Sequence, residues 1–281
     1  MNKKSLSYPH LFWMLIFVLV PIGIIFLYSI NIWTTNAEAG FSLENYKNLF
    51  DLTYMKIYGY SLWTAFLSTL FCLFFGYPAA YILAKRDGER LRAGKKSSTT
   101  FLLLVMPMWM NMMLRTYSWL TILETNGLLN TILGFFGFGK VDILYTTPAI
   151  ILGMVYDFIP FMILPIYSVL SKFEICLKEA AEDLGANPAK VFFKVTLPMS
   201  IPGIVSGITM VFLPSITTFY ISNIFGGGKK MLVGNLIEQQ FLVAYDWSFG
   251  SALAIVMMIL VFLSMKVMNL VNKGNNQMAM F

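Results

Sequence analysis

EAAEDLGANPAKVFFKVTLP, residues 179–198, is a polar, charge-mixed island set between two long apolar runs of the chain. It decides the fold, because it separates stretches apolar enough to enter a membrane from a loop that must stay outside one. Lys172 to Leu184 has helix-forming composition, and Gly185 is the residue type that closes a helix by turning left-handed just past its end. A second helix then begins with Asn187 as its N-cap and Pro188 in the first helical position, where a missing N–H is no loss. Phe192, Phe193 and Leu197 give this second piece an apolar side, while Lys190 and Lys194 share an exposed face at i, i+4 spacing. The pattern predicts a helix, a tight turn and a helix lying outside the bilayer, over about residues 172–198.

Working outward, 58% of the 281 residues are hydrophobic and 12% are charged, against roughly 25% charged in soluble domains. With a mean hydropathy of +0.70, this is the composition of an integral membrane protein. Crossing about 30 Å of hydrocarbon at about 1.5 Å per residue takes about 20 apolar residues. Six stretches qualify, approximately Leu11–Ile32, Tyr60–Ala84, Phe101–Ile122, Thr147–Leu170, Ile201–Ile221 and Phe249–Leu270. The first is too long for a signal peptide, contains Pro21 and continues to Trp33 with no small-residue cleavage pattern, so it reads as retained. The expected fold class is an all-α membrane protein of six transmembrane helices, forming a single domain over residues 1–281.

The net charge of +6 is distributed by loop, as the positive-inside rule requires, and does not signal nucleic-acid binding. An N-terminus inside puts Lys3, Lys4, six basic residues between Lys85 and Lys96, four between Lys172 and Lys194, and Lys266 and Lys273 on the cytoplasmic side. The other side receives Lys47, Lys56, Lys140, Lys229 and Lys230. Both termini and the polar island are therefore expected in the cytoplasm. The run KRDGERLRAGKK from Lys85 reads as a topology anchor against anionic lipid headgroups or as a contact for a cytoplasmic partner. FSLENYKNLF, residues 41–50, has the near-helical spacing of a short interfacial helix.

His10 is the single histidine, and the two cysteines, Cys72 and Cys176, fall in a span and a cytoplasmic loop. These counts exclude a histidine-based triad, a His/Cys zinc cluster and a structural disulfide. Gly134, Gly139 and Lys140 imitate the order of a nucleotide-binding P-loop. Val141 stands where Ser or Thr must reach magnesium, however, and Phe135, Phe136 and Phe138 fill the loop. No cofactor is expected on this chain, so its energy comes from a partner or from an ion gradient.

A charge deep in a membrane costs roughly 2.5–3.5 kcal/mol even on the lenient scale and needs a reason. Asp157, mid-way along the fourth span, either attracts a cationic substrate or pairs with Arg115 of the third span or with a neighbouring subunit. Around them lie Tyr117, Trp119, Tyr145, Tyr156, Tyr220, Tyr245 and Trp247, with Glu124, Asp142 and Asp246 as external carboxylates. Aromatic faces with carboxylates suit an ammonium-bearing ligand, although Trp and Tyr also collect at every membrane interface. The candidates for a substrate path are Asp157, Tyr156, Tyr117, Trp119, Glu124 and Asp246. Gly203 and Gly207 permit close helix approach, within this chain or against a second subunit. Bends or breaks are expected at Pro160, Pro165 and Pro214.

Glu179, Ala180 and Ala181, then Gly185 after three residues, then Val195, Leu197 and Pro198 after nine more, resemble the EAA loop of ABC importer permeases, with Val195 in the usual isoleucine position. GYPAAYILAK (76–85), LRTYSW (114–119), NGLLN (126–130) and FYISNIFGGGKKMLVGNLIEQQF (219–241) look like the first permease subunit of bacterial spermidine/putrescine importers. The resemblance implies the type I importer permease fold in a bacterial inner membrane and pairing with a second permease subunit as a heterodimer. It also implies two copies of a cytoplasmic ATPase holding ATP and magnesium, and an extracytoplasmic polyamine-binding protein. Glu179, Ala180, Ala181, Gly185, Leu197 and Pro198 would then form the element that sits in a groove of the ATPase. The competing readings are a permease for another small solute and an ion-coupled secondary transporter in which Asp157 is the coupling carboxylate.

Overall fold

The computed structural model describes residues 12–32, 40–92, 105–172, 181, 183 and 185–278, and among these every regular element is helical. The helices are α1 (Phe12–Ser29), α2 (Glu44–Asn48), α3 (Leu52–Arg92), α4 (Met112–Leu123) and α5 (Leu128–Phe135), followed by α6 (Thr147–Leu170), α7 (Pro188–Thr217), α8 (Tyr220–Gly226), α9 (Val233–Leu242) and α10 (Trp247–Met278). Of these, α1, α3, α6, α7 and α10 are long and apolar enough to cross a membrane. The chain divides into two compact units. One gathers residues up to Tyr60 with Leu232–Leu263, and the other takes Ser61–Met231 with residues from Ser264 onward.

In the first unit α1 turns its apolar side chains outward almost everywhere, as a lipid-facing helix does, and becomes buried only at Ser29 and Ile30. There the Tyr46 hydroxyl donates to Ser29 Oγ at 2.8 Å. The short helix predicted in residues 41–50 is present as α2, and Ser42 Oγ accepts from the Glu44 N–H. Tyr58 donates to the Leu253 carbonyl at 2.9 Å, joining the start of α3 to α10. Asp246 caps α10, its Oδ1 accepting from the Phe249 N–H at 2.9 Å.

The second unit is built on α6, which occupies the predicted limits of the fourth span and buries Ile150, Met154, Phe158, Met162 and Ile166. Three expectations change here. Of the bends or breaks expected at Pro160, Pro165 and Pro214, the breaks are absent: α6 is continuous through the first two, and α7 through Pro202 and Pro214 before ending at Thr217. Packing on neighbouring helices lets a helix stay continuous across a single missing N–H. The third span is not one continuous helix in its described part. A 3₁₀ turn over Met106–Trp109 gives way to extended Met110, and Asn111 then opens α4 by accepting from the N–H groups of Met113 and Leu114. The twelve residues of α4 extend only about 18 Å. Finally, the second limb of the polar loop is not separate from the fifth span: α7 runs from Pro188 as an α-turn, a π-turn over Phe192–Thr196 and an α-helix from Leu197.

Gly203 and Gly207 face α6 within this same chain. A Cβ on Gly203 would lie 3.0 Å from both the Ile166 Cα and the Pro165 carbonyl oxygen, so main chain meets main chain there. Gly203→Ala is expected to force the two helices apart by a few tenths of an ångström, at about 1–2 kcal/mol. Thermal unfolding of the detergent-purified chain checks this, with a midpoint several degrees lower than that of Gly23→Ala, whose Cβ meets nothing within 4 Å.

Candidate functional site

The polar loop is described from Ala181, Asp183 and Gly185 onward; Glu179 and Ala180 lie outside the described residues. Gly185 has φ +79°, and the Ala186 N–H donates to the Ala181 carbonyl at 3.1 Å. This six-to-one bond around a left-handed residue is the Schellman closure of a helix, and it needs a residue without Cβ strain at that point. Asn187 then caps α7, its Oδ1 accepting from the Lys190 N–H at 2.8 Å, with Pro188 first in the helix. Val191 is buried, whereas Lys190, Phe193, Lys194 and Pro198 are exposed and Leu197 is half-buried. The loop thus presents an outward face of two ammonium groups and an apolar ring on a helix that continues into the apolar part of the fold.

The second feature is a buried ion pair. Asp157 is 1% exposed and Arg115 5% exposed. Arg115 Nη2 lies 3.0 Å from Asp157 Oδ1, an ionic contact without hydrogen-bond alignment. Thr116 Oγ1 donates to Asp157 Oδ2 at 3.1 Å and Tyr220 approaches the same oxygen at 3.4 Å. Arg115 Nη1 donates to the Pro107 carbonyl at 3.1 Å, so the guanidinium also pins the turn that precedes the break in the third span. The guanidinium lies 5.6 Å from the Tyr156 ring centroid, and Tyr156 packs on Trp119 at 5.0 Å. Of the substrate-path candidates, the structure brings Asp157, Tyr156 and Trp119 together. Tyr117 points away and is 54% exposed, and Glu124 is exposed at the end of α4. Asp246 is exposed in the other unit, where its cap on α10 gives it a local structural task.

Thr116 and the Pro107 carbonyl carry no signal in sequence beyond their nearness to Arg115. NGLLN also proves structural at Asn130, which donates to the carbonyls of Glu124, Thr125 and Val141 and accepts from the Val141 N–H. Lys140, of the P-loop-like series, donates to Asn126 Oδ1. Among the described residues no group of three or more His, Cys, Asp or Glu could hold a metal ion.

Residues 76–276 match the family described as binding-protein-dependent transport system inner membrane component. The chain is 37% identical, over 93% of its length and 92% of the other, to the spermidine/putrescine transport system permease protein PotB of Haemophilus influenzae. It is likewise 37% identical to the PotB of Escherichia coli K12, over 93% of this chain and 96% of that one. The inner membrane ABC transporter permease protein YdcU of Escherichia coli K12 is 26% identical over 83% of this chain and 77% of its own. In three dimensions the chain is similar to a chain of a bacterial alginate ABC transporter, solved in complex with an alginate pentasaccharide-bound periplasmic protein. That match has a TM-score of 0.76 at 16% identity, covering 96% of this chain and 94% of the other.

Proposed function

Because the chain belongs to the family of binding-protein-dependent transport system inner membrane components, we propose that it is the permease subunit of an ATP-driven importer of spermidine and putrescine. The observation that carries this reading is the 37% identity to the polyamine permeases over 93% of the chain, well beyond the loop shared by all importers of this type. It is an inner-membrane protein and supplies a path, not the ATPase.

The chain forms its pore with a second permease subunit. An extracytoplasmic polyamine-binding protein delivers the substrate, with exposed Glu124 and Asp246 as candidate carboxylates for an ammonium cargo. Both termini and residues 172–198 face the cytoplasm, where two ATPase copies, holding ATP and magnesium, grip Glu179, Ala180, Ala181, Gly185, Leu197 and Pro198. Closure of the ATPases is passed through this loop into α6 and α7 and switches access from one side of the membrane to the other. Asp157, with Tyr156 and Trp119 beside it, is the candidate contact for an ammonium group within the path. A desolvated cation over aromatic faces gains about 2 kcal/mol.

The test is uptake of labelled spermidine by bacteria lacking their own polyamine importers, expressing this chain with its companion subunits, with and without the ATPase. Uptake that requires the ATPase and is competed by putrescine is expected. Uptake by this chain alone, collapsed by an uncoupler, would instead establish an ion-coupled transporter. An assembled complex that takes up no polyamine would give the path to another solute.

A further inference from the structure

In the charged run beginning at Lys85, one side chain among the described residues turns inward. Lys85, Arg86, Glu89 and Arg90 are exposed, but Asp87 is 3% exposed, on the helix face that also buries Gly76, Ala80 and Leu83. That face packs on α6: a Cβ on Gly76 would lie 3.0 Å from Met162, and the Tyr167 hydroxyl donates to Asp87 Oδ2 at 2.6 Å. Asp87 Oδ1 is buried with no hydrogen-bond partner. A buried carboxylate left half-satisfied is a poor device for stability, since apolar packing would serve better.

The same stretch of α3 also holds the other limb of the loop. The Phe192 ring meets Tyr77 and Tyr81 edge-on at centroid distances of 6.0 and 5.6 Å, and the Tyr77 hydroxyl pairs with Ser200 Oγ at 3.1 Å. Tyr167 stands one turn before α6 ends at Leu170 and the chain enters the loop, whereas Phe192 stands just after the loop's turn. One helix is thus fastened to α6 just before the loop and to α7 just after the loop's turn. The geometry points to α3 as a third receiver of the ATPase stroke, with Asp87 and Tyr167 as the positioning pair that latches it to the end of α6 that leads into the loop. This inference rests on the reading of residues 172–198 as the loop engaged by the ATPase.

The test uses the whole transporter in liposomes, this chain with its companion permease, ATPase and binding protein, and reads ATP hydrolysis with and without loaded binding protein alongside spermidine uptake per ATP. Tyr167→Phe, which keeps the ring and loses the donor, is expected to assemble in normal amount but to lose at least five-fold in stimulation and in uptake per ATP. Asp87→Asn, which keeps an acceptor for Tyr167, is expected to retain most of the coupling, and Asp87→Leu to lose it. Stimulation and coupling in Tyr167→Phe equal to wild type overturn the latch. So does loss of assembly and hydrolysis in parallel in both Tyr167→Phe and Asp87→Asn, because that marks a packing role. A wild type that is stimulated yet imports no polyamine overturns the substrate instead, and the latch is then judged on stimulation alone.

Discussion

Asp157→Leu is expected to reduce the chain in the membrane fraction to a small remnant, whereas Arg115→Met/Asp157→Leu is expected to return it to near wild-type abundance. Removing one member of a buried pair leaves the other charge without compensation, at about 3–5 kcal/mol, and replacing both with apolar side chains of similar volume is often neutral. Here the abandoned guanidinium would remain 5% exposed, and Thr116 and Tyr220 would lose their shared acceptor. The double variant still costs Thr116 and Tyr220 their acceptor and sets the Pro107 carbonyl loose, but it leaves no buried charge behind. Abundance and detergent stability of the four members of this cycle measure the pair, and a single variant as abundant as wild type would show that Asp157 is not held by Arg115. Uptake by the double variant reads the second role of Asp157. An abundant protein that transports makes the carboxylate purely internal, and an abundant protein that does not transport puts it in the path.

Glu179→Arg is expected to abolish uptake, by two orders of magnitude or more, while leaving membrane insertion and abundance unchanged. The reversal places a cation where the resemblance to the EAA loop puts an anion against a basic residue of the ATPase, and like charges brought together at an interface cost several kcal/mol. Quantitative blotting of membranes beside uptake checks it. Normal uptake by this variant would remove the loop from the coupling route, and insertion failure would make it a folding element.

Much of this was legible in the chain itself. The limits of α6 follow from the residues, because Thr147 and Pro148 open it and its apolar run stops at Ser171. The turn at Gly185 and the cap at Asn187 follow too, since both depend on local backbone chemistry. The break at Met110 and Asn111 was not legible: averaged hydropathy sees an unbroken apolar stretch, and a single capping amide hardly alters it. Nor was the continuity of α7 from Pro188 into the fifth span, because Lys190 and Lys194 make its first turns polar while main-chain hydrogen bonding takes no notice of the side chains' solvent. Arg115 and Asp157 were each conspicuous, but their pairing is a tertiary fact. Asp87 was hidden by its charged neighbours, since a run of ionic residues reads as solvated until one of them is seen to turn inward. The roles of Glu179 and Ala180 rest on the motif alone.

The unbroken course of α7 has a mechanical consequence. It packs tightly on α6 at Gly203, where an added Cβ would lie 3.0 Å from main-chain atoms of Pro165 and Ile166, and a rigid rod held there would turn about that contact. From Pro188 to the fulcrum is about 22 Å and from the fulcrum to Thr217 about 21 Å. The two arms are almost equal, so a tilt that carries the loop end a few ångströms one way carries the far end about as far the other way. A beam so balanced would neither magnify nor diminish a displacement applied at its loop end; it would return it at the far end with the direction reversed.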